Sequence, residues 1–192
     1  PFEALPVKKV KGDFASQSFL ADRYGVSYEF SAGLMLQKAK AQGKQNSKSI
    51  FLCAPVEFTG NDGLGFLPGS ETEVKTISLL FGNQSEVVTH TQASETTIKQ
   101  TDLSQYKYLH FATHGVVDER NPELSRIFLN TDNYEDGNLY ASEIYNLSLS
   151  ADLAVLSACQ TGLGKVSKGE GVIGLSRALV YAGAKNLVVS FW

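Results

Sequence analysis

The chain has 192 residues, 43% of them hydrophobic and 19% charged, and a formal net charge of −3. These values are typical of one globular domain with a sizeable core, and they exclude the strongly basic character of chains that bind nucleic acids or anionic membranes. Two cysteines, at positions 53 and 159, are too few for a disulfide framework or a cysteine-rich zinc module, so we expect a reducing, cytoplasmic environment.

The first predicted elements are short. Residues 1–30 are predicted to be irregular or short β structure, because Val, Tyr and Phe are frequent there and glycine interrupts them. Ser31 is typical of a helix N-cap and Gly43 of a helix end, so a helix is predicted between them. Residues 49–55, SIFLCAP, form an apolar run closed by Pro55, which predicts a buried strand.

A glycine-rich loop and a longer helix follow this strand. FTGNDGLGFLPG, residues 58–69, has the composition of a loop. SETEVKTISLLFG, residues 70–82, predicts a helix, in which Ser70 and Glu73 form a capping box and Gly82 ends the last turn.

Strands and helices alternate through the rest of the chain. Strands are predicted at 85–90, 106–113, 125–130, 151–158 and 186–192, and helices at 94–101, 141–145 and 172–183. Several of these strands are apolar on both faces, as in a parallel sheet that helices cover on both sides. The predicted fold is therefore α/β, a three-layer α/β/α sandwich with a mostly parallel sheet, built as a single domain over residues 1–192.

Two of the apolar strands stop at residues that can perform chemistry. YLHFATHG, residues 108–115, stops at His114 and Gly115, and ADLAVLSACQTG, residues 151–162, stops at Cys159. Parallel strands present functional residues at their carboxyl ends, so an imidazole and a thiol lie side by side if these strands are neighbours. A Cys-His pair supports acyl transfer, with the thiolate as nucleophile and the imidazole as its activator or as proton donor to the leaving amine.

Glycine beside the histidine has a reason of its own in this interpretation. Without a Cβ, Gly115 lets a substrate carbonyl approach the backbone closely. The amides of Gly115 and Cys159 are therefore the candidate donors of an oxyanion hole. From the residues alone an alternative stays open, in which the cysteine is a small buried side chain and the histidine only caps a loop.

Several stretches resemble the CHAT domain, a caspase-like family in the clan of caspases, gingipains and separase. The matching stretches are PFEALP, YGVSYEFSAG, YLHFATHG and LSACQTGLGKVSKGEGVIGLSRALVYAGAKNLVVSFW, with looser agreement at LPGSETEVKTI and DGNLYASEIYNLSLSADL. The resemblance implies a caspase-like fold with a catalytic histidine at His114 and a catalytic cysteine at Cys159. Because domains of this family normally run further at both ends, we expect the chain to be a fragment.

Two functions from different classes follow. The first is a caspase-like cysteine endopeptidase that cleaves peptide bonds through a Cys-His dyad and a thioester intermediate. The alternative is a catalytically silent caspase-like interaction or scaffold module in a larger repeat-containing protein. It rests on the absence of a visible carboxylate that would orient His114, a weak argument because caspase-like enzymes often have no strict third member.

The expected partner is a protein or peptide substrate, and the resemblance adds flanking tetratricopeptide repeats or a regulatory partner. Neither a nucleic acid nor a membrane is expected, because the net charge is acidic and no apolar run reaches the roughly 18 residues of a spanning helix. The chemistry requires no metal and no organic cofactor.

Asp118 and Glu170 complete the candidate site. Asp118, in the loop after His114, is either a solvated charge or part of the substrate pocket. Glu170 is either a helix-entry acid favoured by the helix dipole or a pocket residue that binds a basic substrate side chain. Cys53 and His110 lie inside apolar strands and are expected to be core residues.

Overall fold

The computed structural model describes most of the chain from residue 47 onward and short stretches before it. The described residues are 5–7, 17–25, 32–33, 35–36, 47–61, 63–118, 120–160 and 171–189. For residues 159–160 and 171–173 it describes the backbone alone. Among the described residues, none of the helices combines the length and apolar character that crossing a membrane requires.

The chain divides into two compact units, Pro1–Lys40 and Ala41–Trp192. In the first unit an antiparallel bridge joins Pro6 to Phe19, and one turn of 3-10 helix, Leu20–Asp22, follows. Residues 32–33 and 35–36 are helical, within the helix predicted after Ser31.

The second unit is an α/β structure with seven described strands and several helices. The strands are β1 Lys48–Ala54, β2 Ser85–Thr89, β3 Tyr106–Val116, β4 Arg126–Phe128, β5 Asn138–Tyr140, β6 Leu153–Gln160 and β7 Leu187–Val189. The α-helices are α1 Pro68–Phe81, α2 Glu95–Gln100, α3 Ala141–Ile144 and α4 Gly171–Ala182. Short 3-10 turns occupy Gly82–Gln84, His90–Gln92, Leu103–Gln105 and Pro122–Leu124.

The strands form one mixed sheet with β3 in its middle. β2, β1, β3, β6 and β7 lie side by side in that order and are parallel. β4 pairs antiparallel with the last residues of β3, and β5 pairs antiparallel with β4. The predicted α/β class is confirmed, but the sheet is mixed, because the short β4 runs antiparallel to both of its neighbours, β3 and β5.

Two hydrophobic clusters lie on the two faces of the sheet. Alternate residues of a strand point to opposite faces, and in β1 Ile50 and Leu52 belong to one cluster while Phe51 belongs to the other. The first cluster also contains Val74 of α1 and Ala112 of β3, and we call this side the α1 face. The second cluster contains Ile98, Ile144, Leu175, Ala178 and Leu179, from α2, α3 and α4, and we call this side the α4 face. His114 has the same strand parity as Ala112 and therefore lies on the α1 face.

The predicted capping box of α1 is wrong. The helix begins at Pro68, because proline has no N–H to satisfy in the first turn, and its N-cap is Leu67. The hydroxyl of Ser70 donates to the carbonyl of Leu67 at 2.7 Å, and the carboxylate of Glu73 contacts His110 instead of the helix N-terminus. Other boundaries differ less: β3 continues three residues past its predicted end, and β5 lies where no strand is predicted.

Candidate active site

The backbones of His114 and Cys159 are direct neighbours. β3 and β6 are parallel, and their register places His114 opposite Cys159. Neighbouring strands lie about 4.7–4.9 Å apart, so the two backbone positions are adjacent. Both residues lie inside their strands, whereas the sequence predicted them just after the strand ends. β3 is longer than predicted because β4 and β6 continue to pair with it at Gly115.

His114 is buried, with 3% of its surface exposed. Its Nε2 atom lies 2.7 Å from the carbonyl oxygen of Gly65, and the ring of Phe58 packs on the imidazole with centroids 4.8 Å apart. Its other nitrogen, Nδ1, is buried and has no hydrogen-bond partner among the described residues.

The contact with Gly65 determines which nitrogen of His114 carries the proton. A carbonyl oxygen can only accept a hydrogen bond, so Nε2 must be the donor. In the neutral imidazole Nδ1 then has a free lone pair. A buried acceptor without a partner costs about 1–3 kcal/mol, so Nδ1 is the nitrogen that gains most from a proton donor such as a thiol.

The loop that carries Gly65 and Phe58 is tied to the rest of the sheet. We call residues 55–67 the β1–α1 loop. The N–H of Leu67 donates to the carbonyl of Val56 at 2.8 Å, which closes the loop at its base. Further along, the side-chain Oδ1 of buried Asn130 accepts the N–H of Thr59 at 2.8 Å and the Thr59 hydroxyl at 3.0 Å. These contacts hold the loop at its base and at Thr59, and the loop places the Gly65 carbonyl against His114.

Gly115 is enclosed by strands on both sides, paired with Ile127 of β4 and Gln160 of β6. A Cβ added to Gly115 would lie 3.4 Å from the Cβ of Ala158 and 3.5 Å from the carbonyl oxygen of Arg126. The space beside this glycine is therefore filled by neighbouring strands on the α4 face. The close approach of a substrate to Gly115 stays a prediction.

A family model for the CHAT domain matches residues 1–192. The chain belongs to the CHAT-domain family. This family is caspase-like and protease-related, in agreement with the predicted resemblance. A search of the curated proteins finds no match to the chain.

Of the two acids predicted to line the pocket of this CHAT domain, Asp118 is bound within its own loop. Its Oδ1 accepts the N–H groups of Arg120 at 2.9 Å and Asn121 at 2.8 Å, and its N–H donates to the Ser125 hydroxyl. These contacts shape the loop that follows β3. Glu170 and the side chain of Cys159 lie outside the described residues.

Cys53 and His110 are core residues of the CHAT domain, as the sequence predicts. Cys53 is fully buried, and burial raises the pKa of its thiol, which disfavours the reactive thiolate. His110 is buried on the α1 face, and its Nε2 lies 2.8 Å from Glu73 of α1. The hydroxyl of Ser157 contacts the other oxygen of Glu73 at 3.4 Å, so this carboxylate links α1 to β3 and β6.

Three carboxylates that could hold a metal ion converge elsewhere on the CHAT domain, on Glu95, Glu135 and Glu143. The amine of Lys99 lies between them, at 2.8, 2.9 and 2.7 Å respectively. Burial lowers the pKa of Lys99, but the hydrogen bonds to the three carboxylates outweigh it, and the pKa is raised overall. The lysine therefore supplies the positive charge that this acidic cluster needs, and the cluster joins α2 to α3.

Two residues of the CHAT domain that contact His114, Gly65 and Phe58, are absent from the sequence-based prediction. Both lie in the glycine-rich stretch that leaves the carboxyl end of β1, the edge of the sheet where function was expected. That position is the signal that could have identified the loop. The contact itself is made by a backbone carbonyl 49 positions from His114, and no residue type marks such a contact.

Proposed function

We propose that this CHAT domain is a caspase-like cysteine endopeptidase in which Cys159 is the nucleophile and His114 the acid–base catalyst. The observation that carries the proposal is the register of β3 and β6, which makes the two positions direct neighbours. The proposed substrate is a protein or peptide, and the proposed setting is cytoplasmic. Flanking tetratricopeptide repeats or another regulatory partner would control substrate access to the active site.

The proposed reaction has two halves. In the first, Nδ1 of His114 takes the proton of the Cys159 thiol and the thiolate forms a bond to the peptide carbonyl carbon. The C–N bond then breaks, and the imidazolium returns its proton to the leaving amine, which leaves a thioester. In the second half Nδ1 takes a proton from water and the resulting hydroxide attacks the thioester. The C–S bond breaks, the carboxylic acid leaves, and the imidazolium returns its proton to the sulfur, which restores the thiol and the neutral histidine.

The Gly65 carbonyl supports this assignment of roles. By accepting the Nε2 proton it leaves Nδ1 as the nitrogen that exchanges protons. It also stabilises the imidazolium that forms when the thiol is deprotonated, because Nε2–H becomes a stronger donor. Among the described residues, a backbone carbonyl thereby occupies the position at Nε2 that a carboxylate has in a three-membered catalytic set.

For the oxyanion we propose the amides of Gly115 and Cys159 as donors. Each such donor contributes about 2.7–4 kcal/mol to transition-state stabilisation in enzymes of this kind. We further infer that the sheet is the middle of a three-layer caspase-like sandwich whose parallel strands dominate. The two hydrophobic clusters, with α1 on one side and α4 on the other, support this arrangement.

One observation favours the silent scaffold as the second candidate. An imidazole with 3% of its surface exposed and covered by Phe58 is not open to a substrate in this conformation. A scaffold would keep such a histidine as a core residue. An enzyme would have to move the β1–α1 loop before binding a peptide.

Cysteine reactivity distinguishes the two candidates. If Cys159 is the nucleophile, iodoacetamide modifies it much faster than Cys53, and His114→Gln slows that modification by roughly 100-fold or more because the base is lost. Peptide mapping by mass spectrometry separates the two cysteines. Cys159→Ala should abolish cleavage of a peptide library, while the control Cys53→Ala should retain it.

Equal, slow modification of both cysteines, with no effect of His114→Gln, would overturn the endopeptidase and support the scaffold. Cleavage that survives Cys159→Ala would overturn the assignment of the nucleophile.

A further inference from the structure

Arg126 of β4 is held by aromatic rings and is not paired with an acid among the described residues. Its Cζ lies 5.2 Å from the centroid of Phe128 and 5.4 Å from that of Tyr140. Arginine stacks on ring faces in this way without using its hydrogen-bond donors. The stack therefore fixes the plane of the guanidinium and leaves its edges for other partners.

The donors of this guanidinium are nearly unused. Its Nη1 lies 3.5 Å from the carbonyl of Leu124, at the limit of a hydrogen bond, and its Nε is buried with no partner among the described residues. An arginine has five N–H donors, and a buried donor without an acceptor destabilises the protein. A ligand that offers two oxygens would recover that cost.

Arg126 lies on the same face of the sheet as His114. It pairs with Val116, which is two residues beyond His114 and therefore has the same strand parity. Two residues of a strand span about 6.6–6.8 Å, and two residues of an extended peptide span a similar length. Cys159 lies on the opposite side of β3 from β4, so the three positions cross neighbouring strands in the order Arg126, His114, Cys159.

We propose that Arg126, held between Phe128 and Tyr140, binds the carboxylate of an acidic substrate residue within about two positions of the scissile bond. The planar fork of a guanidinium matches the two oxygens of a carboxylate, which gives the bidentate pairing that fixes position as well as charge. This inference rests on the proposed endopeptidase function and adds a substrate class to it.

The sequence-based interpretation offers Glu170, which lies outside the described residues, as a pocket acid for a basic substrate side chain. Asp118 was considered as a pocket acid, but one of its oxygens is occupied by the N–H groups of Arg120 and Asn121. Among the described residues of this face, Arg126 keeps N–H donors free for an acidic group. The described residues of this face therefore support an acidic substrate residue.

Peptide acyloxymethyl ketones test the proposal, because the thiolate of Cys159 displaces their carboxylate leaving group and is alkylated. One set of probes places Asp at each of four positions before the electrophile, and a matched set places Asn there. A third probe has a free terminal carboxylate and no acidic side chain. Intact-mass spectrometry gives the second-order labelling rate for each probe.

At one position we expect Asp to be labelled about tenfold or more faster than Asn. Arg126→Gln should remove that ratio, and Arg126→Glu should reverse it, so that Asn is labelled faster than Asp at the same position. Arg126→Lys should retain part of the ratio, because the charge stays and the fork is lost. Arg177→Gln is the matched control: this arginine is exposed on α4, on the other face, and makes the same change in net charge.

The outcomes separate this proposal from the function beneath it. If wild type is labelled by every probe without preference for Asp, the carboxylate site is wrong and the endopeptidase stands. If only the probe with the free terminal carboxylate is labelled faster, Arg126 binds the end of a chain, and the proposed acidic substrate side chain is wrong. If the ratio survives Arg126→Gln, the site lies elsewhere.

A binding measurement covers the case in which no probe reacts. Fluorescence anisotropy of the labelled Asp and Asn peptides with Cys159→Ala reports binding without chemistry. The Cys159→Ala protein should bind the Asp peptide more tightly than the Asn peptide, and the double variant Cys159→Ala, Arg126→Gln should bind both equally. This result supports the carboxylate site even if the endopeptidase fails. Equal binding of both peptides overturns it.

Discussion

At the scale of single residues, the position of one proton depends on a backbone carbonyl. The Gly65 oxygen accepts from Nε2 of His114, and Phe58 covers the same ring, so Nδ1 is buried without a partner among the residues that the structure describes. The substitution of Gly65 by any other residue would retain its carbonyl. The environment of this histidine can therefore be changed more directly through Phe58.

Phe58→Ala should expose His114 and speed its modification by diethyl pyrocarbonate, because the ring that covers the imidazole is removed. In the wild type, His90 should react first, since 42% of its side chain is exposed against 3% of His114. Peptide mapping by mass spectrometry follows each histidine. Phe66→Ala is the matched control, because Phe66 is an exposed phenylalanine of the same loop. Equal rates for His114 in both variants would show that Phe58 does not limit access.

At the scale of elements, the sequence predicts the β1–α1 loop but not its contact with His114. Its position after β1 was predicted, and so were the apolar strands β1, β3 and β6, because long apolar runs identify buried strands. The contact between Gly65 and His114 was not predictable, because it joins two positions far apart in sequence through a main-chain atom.

Two other errors have local causes. β5 has three residues, too few for alternation to appear, and it forms because β4 pairs with it. Ser70 and Glu73 matched a capping box, but Pro68 started the helix earlier and moved both residues into its interior. The register that places His114 opposite Cys159 also required the structure, since sequence gives strands without their alignment.

The side chain of Asn130 holds the β1–α1 loop through its hydrogen bonds to Thr59, and its removal should make the loop more mobile. Asn130→Ala deletes the acceptor of the Thr59 N–H and hydroxyl and the donor to the His90 carbonyl, and we expect it to cost roughly 1–3 kcal/mol of unfolding free energy. Urea unfolding at neutral pH measures this cost. The same variant should raise the diethyl pyrocarbonate rate of His114.

Thr59→Val is the matched control for these hydrogen bonds. It removes only the hydroxyl bond and retains the N–H bond to Asn130, so its cost should be about 0.5–1.5 kcal/mol. If both variants lose the same free energy, the backbone contact does not hold the loop.

At the scale of the whole molecule, stability against acid depends on carboxylates that are bound in the native state. Asp132, between β4 and β5, accepts the N–H groups of Tyr134 and Glu135 and the hydroxyl of Thr96. The Tyr134 N–H, followed by the Thr96 hydroxyl, lowers the pKa of Asp132 to about 2 from its ordinary 3.8. The native state thus keeps this carboxylate charged at a pH where the unfolded chain is protonated.

The sign of the effect on stability follows from this difference in proton binding. Between about pH 4 and pH 2 the unfolded state binds more protons than the native state, so stability falls as pH falls through this range and is fully present above about pH 5. Asp132→Asn can still accept the same hydrogen bonds but does not titrate. The stability difference between wild type and Asp132→Asn should therefore be constant above about pH 5 and shrink steadily below pH 4.

Urea midpoints measured in steps from pH 6 to pH 2.5 test this prediction for the whole molecule. Thr96→Val removes one of the bonds that lower the pKa of Asp132 in the native state, so its acid-induced loss of stability should be smaller than in wild type and should level off at a higher pH. Asp132→Asn thus removes one titrating group from the pH profile of stability, whereas Thr96→Val changes the pKa of that group. A general loss of packing would lower stability equally at every pH. Parallel profiles for wild type and Asp132→Asn down to pH 2.5 would show that Asp132 has the same pKa in the folded and unfolded chain, and that other carboxylates govern acid unfolding.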